Sequence, residues 1–256
     1  MFDLVKLDSS LEPLFNRYVT HDDVPHYFHF ILDWRMNRDD TEIWLALRKG
    51  EIHGMMLIYK RRVVQLRGEE PAVETLLDKV NLERIEFNAE IEHRRIIKDR
   101  YELAREGEIL LMTLRKGEER LAPTENVVRL TPERANEIAD LLKDAKPEAW
   151  GDLNGEEVAA SMEKRLWLGI IADGVLVTVG ATLLTDPVSN IGKVATHASY
   201  RNRGYATSVV SALVKEIMQR NDMALIHVQK DNLPALRAYG KVCFQVYRNY
   251  FCGITG

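Results

Sequence analysis

Apolar positions along the chain change period several times, and each change marks an element. Residues 11–18 and 25–36 space them as helices do, whereas 42–47 and 52–59 are β-rich runs that meet at Lys49-Gly50. A third run, 63–66, enters Arg67-Gly68 and a helix expected over 71–80, and shorter strands follow to 108–114. The order then returns. A short strand 127–130 precedes Thr131-Pro132, a good helix start, and helices are expected over 133–143 and 155–164. Two apolar runs, LWLGIIA and VLVTVGATLL, flank Asp173-Gly174, a dipeptide that favours a two-residue hairpin turn. A strand over 191–199 leads through Tyr200-Arg201-Asn202-Arg203-Gly204 into a helix ending near residue 220. A strand 224–229, a short helix 233–239 and terminal strands over 243–252 close the chain.

Both halves thus run helices, hairpin, strand, helix, and QLRGEEPAVETLLDKV looks like a distant version of SYRNRGYATSVVSALVKEI. The pattern predicts a duplicated α/β fold of the α+β kind, with domains at 1–120 and 126–256 joined where charge and Pro123 accumulate, over 116–126.

Composition narrows the function classes. Hydrophobic content of 46% with 29% charged residues is an ordinary globular balance. A formal net charge of -4 gives no overall basic field, so nucleic acid and anionic membrane are not expected partners. Lys60-Arg61-Arg62 and Arg94-Arg95 read as solvated faces. The apolar stretch 166–184 nearly reaches membrane-spanning length, but Asp173-Gly174 divides it into two buried strands. Asp3, Lys6 and Asp8 interrupt any signal-like run at the start. Two cysteines, Cys243 and Cys252, make no disulfide framework, and neither a C-x-x-C nor a paired-histidine spacing suggests a metal. A reduced, cytoplasmic setting is expected.

The chemistry concentrates at THASYRNRGYATSVVSALV, where a strand ends, a turn holds Arg201, Asn202, Arg203, Gly204, Tyr205, Ala206 and Thr207, and an amphipathic helix begins at once. Small residues let backbone approach a ligand. The first free helix N–H groups and the helix dipole favour an anion, and Arg201 and Arg203 add charged donors. No G-x-x-x-x-G-K-[ST] is present, so the phosphates bound here need no Walker lysine.

Arg201-x-x-Gly204-x-Ala206 resembles the Q/R-x-x-G-x-G/A motif of the GNAT superfamily of N-acetyltransferases. Asn232-x-x-Ala235-x-x-x-Tyr239-x-Lys241-x-x-Phe244 resembles the family's later motif, with Cys243 in place of its glycine. The phrase HASYRNRGY and the two-part layout look most like the glycine N-acyltransferase-like and FR47-like branch. The resemblance covers about the last half of the chain. It implies two tandem GNAT-like domains, each a mixed central sheet flanked by helices, the first degenerate. It further implies an N-acyltransferase that moves an acetyl or other short acyl group from acetyl-CoA to the amine of a small molecule or amino acid. Thr196, His197 and Ala198 would pair with the pantetheine arm, 201–207 would cradle the pyrophosphate, and Asn232 and Ala235 would line the channel near the thioester. Tyr239 would protonate the departing thiolate.

Departures remain. Many members carry a glutamate on the strand before the first motif; here Gly192 and Lys193 stand there, leaving His197, His227, a water chain or an amine already neutral when bound in place of that base. A lone strand histidine is more often structural. Trp150-Gly151 falls where the family often contacts acceptor, or is a partly buried loop aromatic; Tyr247, Tyr250 and Phe251 read as core and rim. The first half carries Glu69-Glu70 at its corresponding helix start, which would repel a pyrophosphate and otherwise serve as capping. That half is left to shape the acceptor pocket or to form an oligomer contact such as a homodimer. A non-catalytic acyl-CoA sensor fits the missing carboxylate and Cys243; an enzyme fits Tyr239 and Asn232. A protein or peptide acetyltransferase is the third class.

Overall fold

Two hairpins with the same turn stand out in the computed structural model, which describes residues 1–21 and 23–256. Lys49 and Gly50 have φ of 55° and 81°, and Asp173 and Gly174 have 52° and 80°. Positive φ at both central residues is the conformation that matches strand twist in a two-residue turn.

The chain forms β1 (Asp3–Lys6), α1 (Glu12–His21), α2 (Phe28–Met36), β2 (Thr41–Arg48), β3 (Glu51–Tyr59), β4 (Val63–Gly68), α3 (Glu70–Leu77), β5 (Glu86–Glu90), α4 (Arg94–Arg100) and β6 (Leu103–Arg115). There follow β7 (Val127–Arg129), α5 (Ala135–Ala145), α6 (Pro147–Trp150), α7 (Gly155–Ser161), β8 (Arg165–Ala172), β9 (Val175–Leu183) and β10 (Ser189–Thr196). Last come α8 (Tyr205–Ile217), β11 (Met223–Gln229), α9 (Leu233–Lys241) and β12 (Gln245–Thr255). The short elements β1, α4 and α6 were not expected from the pattern, and the terminal strands are one strand, β12. Arg94 and Arg95 head α4 and pair with Glu106 and Glu70 at 2.7 and 2.8 Å.

One unit comprises residues 1–110, 229–231 and 248–256; the other comprises 111–228 and 232–247. In the first, strands lie in the order β1-β2-β3-β4-β5-β12. Alternate residues of β3 face opposite cores. Met55 and Leu57 pack with Phe15, Phe30 and Trp34 of α1 and α2, while Met56 and Ile58 pack with Ala72, Val73 and Leu76 of α3. Tyr250 and Phe251 are core residues, as expected, and Tyr247 is 38% exposed.

In the second unit the order is β11-β10-β9-β8-β7. Val179 and Ala181 of β9 join Ile138, Leu142 and Val158 of α5 and α7 on one face. On the other face a Cβ at Gly180 would meet Val209 at 2.8 Å and Leu213 at 3.0 Å, so α8 sits close because residue 180 has no side chain. The first unit repeats the device: a Cβ at Gly54 in β3 would meet the Ala72 side chain of α3 at 2.8 Å. This matched approach of helix to strand supports the duplicated reading. Val209, Val210, Leu213, Val214 and Ile217 are wholly buried under α8, each contributing about 1.5–3 kcal/mol over exposure. The segment after β6 is tied to its own unit. Arg120 N–H donates to Val242 O at 3.3 Å and Ala122 N–H to Ser211 Oγ at 3.0 Å.

Candidate active site

Strands β10 and β11 run parallel and pair at Ser189, Asn190 and Ile191 against Ala224, Leu225 and Ile226. The register ends there, yet β10 continues to Thr196 and β11 to Gln229. The cause is local to β10. A bulge interrupts its register with β9 between Gly192 and Ala195, and Lys193 takes a φ of 56°. A parallel pair that separates mid-strand leaves a gap that opens toward the strands' C-terminal ends, where open α/β sheets bind ligands.

The turn after β10 aims at this gap. His197 Nδ1 accepts the Ser199 N–H at 3.3 Å and caps the 3₁₀ turn Ala198–Tyr200. Arg201 Nε donates to Thr196 O at 3.2 Å, and Arg203 donates to Ser199 O at 3.4 Å with its guanidinium 5.0 Å from the Tyr200 ring. Asn202 and Gly204 have φ of 62° and 84°. Gly204 O accepts the Ser208 N–H at 3.0 Å, so the amides of Tyr205, Ala206 and Thr207 are the first-turn donors of α8. A cavity of about 420 Å³ adjoins this helix start, lined by Arg203, Gly204, Tyr205, Ser208, Lys241 and the 122–127 segment. The extended backbone beside the gap ends at Thr196. Thr196 O is already held by Arg201, and His197 N–H goes to Val177 O at 2.9 Å, so Ala198 belongs to the turn rather than to the strand.

Asn232 and Ala235 are joined by the side chain of the first, whose Oδ1 accepts the Ala235 N–H at 3.2 Å and caps α9. Further along, Phe244 N–H donates to Tyr239 O at 3.1 Å and Cys243 N–H to Gly240 O at 3.0 Å, with Cys243 at φ 77°. This is the glycine-type helix ending, made here by a cysteine in the left-handed region. The accompanying contact is Tyr239 against Phe244, edge-on with centroids 6.3 Å apart. Tyr239 is 6% exposed, and burial pushes its phenol up to about 12.

His227 Nδ1 faces Asn190 Oδ1 at 3.3 Å. Trp150, at the end of α6, covers Lys193: the Lys193 Nζ is 3.8 Å from its ring centroid. Lys193 is the one charged residue of β10, between Gly192 and Val194.

The first unit closes its own version of the gap. There β4 and β5 stay paired from Val63–Glu86 to Leu66–Ala89. Beyond them the buried Arg67 guanidinium donates to Asn88 O at 3.1 Å and Asn88 Oδ1 at 2.7 Å. The Gly68 N–H, next to the start of α3, is taken by Glu90 Oε2 at 2.8 Å. Burial alone would raise the Glu90 carboxyl, but His93, the Gly68 N–H, His26 and Arg67 together hold it down to about 2, so it is ionised. Glu69 occupies the N-cap position of α3 and Glu70 its first turn, as expected, but the Glu69 side chain makes no capping hydrogen bond. Glu69 binds His53 Nδ1 at 2.8 Å and Arg48 at 3.5 Å, and Glu70 binds Arg95.

Residues 167–252 match the family described as FR47-like protein. Several solved structures share the fold. A Drosophila protein, 13% identical, is covered over 99% of its length by 100% of this chain at a TM-score of 0.74. A GNAT-family acetyltransferase from Colwellia psychrerythraea, also 13% identical, is covered over 100% of both chains at 0.66. A tandem GNAT protein from the clavulanic acid biosynthesis pathway, 11% identical, is covered over 98% by 100% of this chain at 0.60. No curated protein matches by sequence. The chain has the fold of the GNAT-family acetyltransferases, in tandem form. Among the described residues, no group of three or more His, Cys, Asp or Glu is placed to hold a metal, and no helix is long and apolar enough to cross a membrane.

Proposed function

We propose that the chain is an acyl-CoA-dependent N-acyltransferase of the FR47-like or glycine N-acyltransferase-like branch, acting through its second unit on the amine of a small molecule or amino acid. The observation that carries this reading is the early end of β10–β11 pairing above a helix start with three free amides and two arginines. A thin, extended pantetheine arm fits between separating strands, and its pyrophosphate meets the positive end of α8. Arg201 and Arg203 add charge on the exposed side. Thr196, His197, Asn202, Gly204, Tyr205, Ala206 and Thr207 shape the cradle by turn geometry and backbone donors. The acyl thioester then lies in the gap near Tyr239, whose phenol hydrogen-bonds to sulfur as negative charge develops there. In the first unit the Glu69 N–H is bonded to His53 O at 2.9 Å and Pro71 has no N–H, so its helix start lacks those donors and acyl-CoA is expected at the second unit alone.

The test is calorimetry of the full chain with acetyl-CoA, followed by a screen of primary amines that reads CoA-thiol release. One binding site, lost with Arg201→Ala plus Arg203→Ala, is the expected result. Absence of acetyl-CoA binding, or binding unaffected by the double change, overturns the assignment.

A further inference from the structure

Direct acyl transfer needs a neutral amine, so some group must accept the ammonium proton of the acceptor. His197 Nδ1 is committed to the Ser199 N–H and His227 Nδ1 to the Asn190 side chain. Lys193 has a different setting. It sits in the bulge of β10, two residues beyond the last β10–β11 pair. Its neighbours show which face it occupies. Val194 lies on the α8 side, 3.6 Å from where a Gly180 Cβ would be, among Val209 and Leu213. Ala195 belongs to the core under α5 and α7, and Lys193 meets Trp150 of α6 on that same side. Lys193 is therefore across the sheet from the phosphate-binding helix start, at the point where the strands part. A thioester entering from the α8 side and an amine arriving from the α6 side meet at this gap.

Resting on the acyltransferase reading, we propose that Lys193 is the catalytic base that takes the proton from the acceptor amine, with the face of Trp150 receiving the lysinium that results. The electrostatics agree. Burial first, and then Arg165 on β8, push the Lys193 amine down to about 8, while Glu157 on α7 pulls the other way. An appreciable neutral fraction thus exists near neutral pH, and the aromatic face stabilises the cation once formed. In the step itself, the ammonium proton passes to Nζ. The freed lone pair forms the N–C bond to the thioester carbonyl carbon. The C–S bond then breaks, the remaining excess proton passes from the new amide nitrogen to solvent, and the sulfur gains a proton through Tyr239, which solvent replenishes. Lys193 returns its own proton to solvent.

Two measurements test this on the full-length protein. Reductive ¹³C-methylation, with Lys193→Arg to assign the resonance, gives the titration midpoint of Lys193; a value near 8 supports the role, and an ordinary lysine value of about 10.4 overturns it. Next, Lys193→Gly suits the positive φ and so preserves the bulge. With a primary amine found by thiol release, this variant should lose about 10²-fold or more in kcat/KM at pH 7, together with the parent's rise through pH 8. It should keep acetyl-CoA affinity, and it should acetylate hydroxylamine, a nucleophile already neutral, as fast as the parent. An unchanged pH profile in Lys193→Gly refutes the base and leaves the acyltransferase reading intact. A parent that neither binds acetyl-CoA nor releases thiol refutes both.

Discussion

Tyr239→Phe isolates one hydroxyl in the proposed reaction, and the structure sets the size of the effect. The phenol is raised to about 12 by burial, whereas an ordinary thiol titrates near 8.5. Full transfer of the proton to a thiolate is therefore uphill by roughly 3.5 units, or about 5 kcal/mol. A burial-raised phenol acts chiefly as a hydrogen-bond donor to the sulfur, and proton movement comes late. A hydrogen bond to a charged acceptor is worth about 1.5–3 kcal/mol, which corresponds to a loss of roughly 10–150-fold in the acyl-transfer rate. That lies at or below the lower end of the range of about 10²–10⁴ for general acid catalysis. Affinity for acetyl-CoA should stay the same, because the bond strengthens only in the transition state. Phe retains the edge-on contact with Phe244 and the turn that follows α9. The assay is single-turnover release of CoA thiol, with calorimetry for affinity. An unchanged single-turnover rate removes Tyr239 from the mechanism, and a loss near 10⁴-fold contradicts the weak-acid reasoning.

Other expectations follow from the same geometry. Arg201→Ala and Arg203→Ala should each weaken acetyl-CoA by about 1–3 kcal/mol, with most of that difference absent for a pantetheine-only ligand; calorimetry at fixed salt decides. Cys243→Gly removes the left-handed strain of a non-glycine residue, about 1–2 kcal/mol, against a glycine entropy cost of about 0.5–1 kcal/mol. A net gain of about 0.5–1 kcal/mol in urea unfolding is expected, and a loss of stability would count against the strain argument. His26 is buried with its Nδ1 2.6 Å from the Tyr250 hydroxyl, and burial, then Arg67, hold its pKa well below the ordinary value. The unfolded chain protonates this residue below pH ~6.5 and the native one does not, so stability should fall as pH drops through that point, by about 1.4 kcal/mol per unit. His26→Gln should flatten that slope in urea titrations between pH 7 and 5, and an equally steep slope in the variant would refute the assignment.

What adjacent residues encode could be read directly. Lys49-Gly50 and Asp173-Gly174 specify their turns through the positive φ that those residues tolerate. Arg201 to Thr207 mark a strand-to-helix turn because Gly204 and the apolar spacing after it are local signals. Asn232 caps α9 as an asparagine before a proline-containing first turn is suited to do. Longer-range facts were decided only by packing. Residues 248–256 follow the second half in sequence yet pack with the first unit, because β12 finds its pairing partner in β5. Glu69 and Glu70 have the composition of helix caps, but arginines and a histidine brought in from other elements claim them. The end of β10–β11 pairing, the bulge at Lys193 and its contact with Trp150 depend on residues far apart in the chain. Strand register and side-chain encounters of that kind arise from which surfaces the fold brings together, and a sequence pattern records only which surfaces are available to meet.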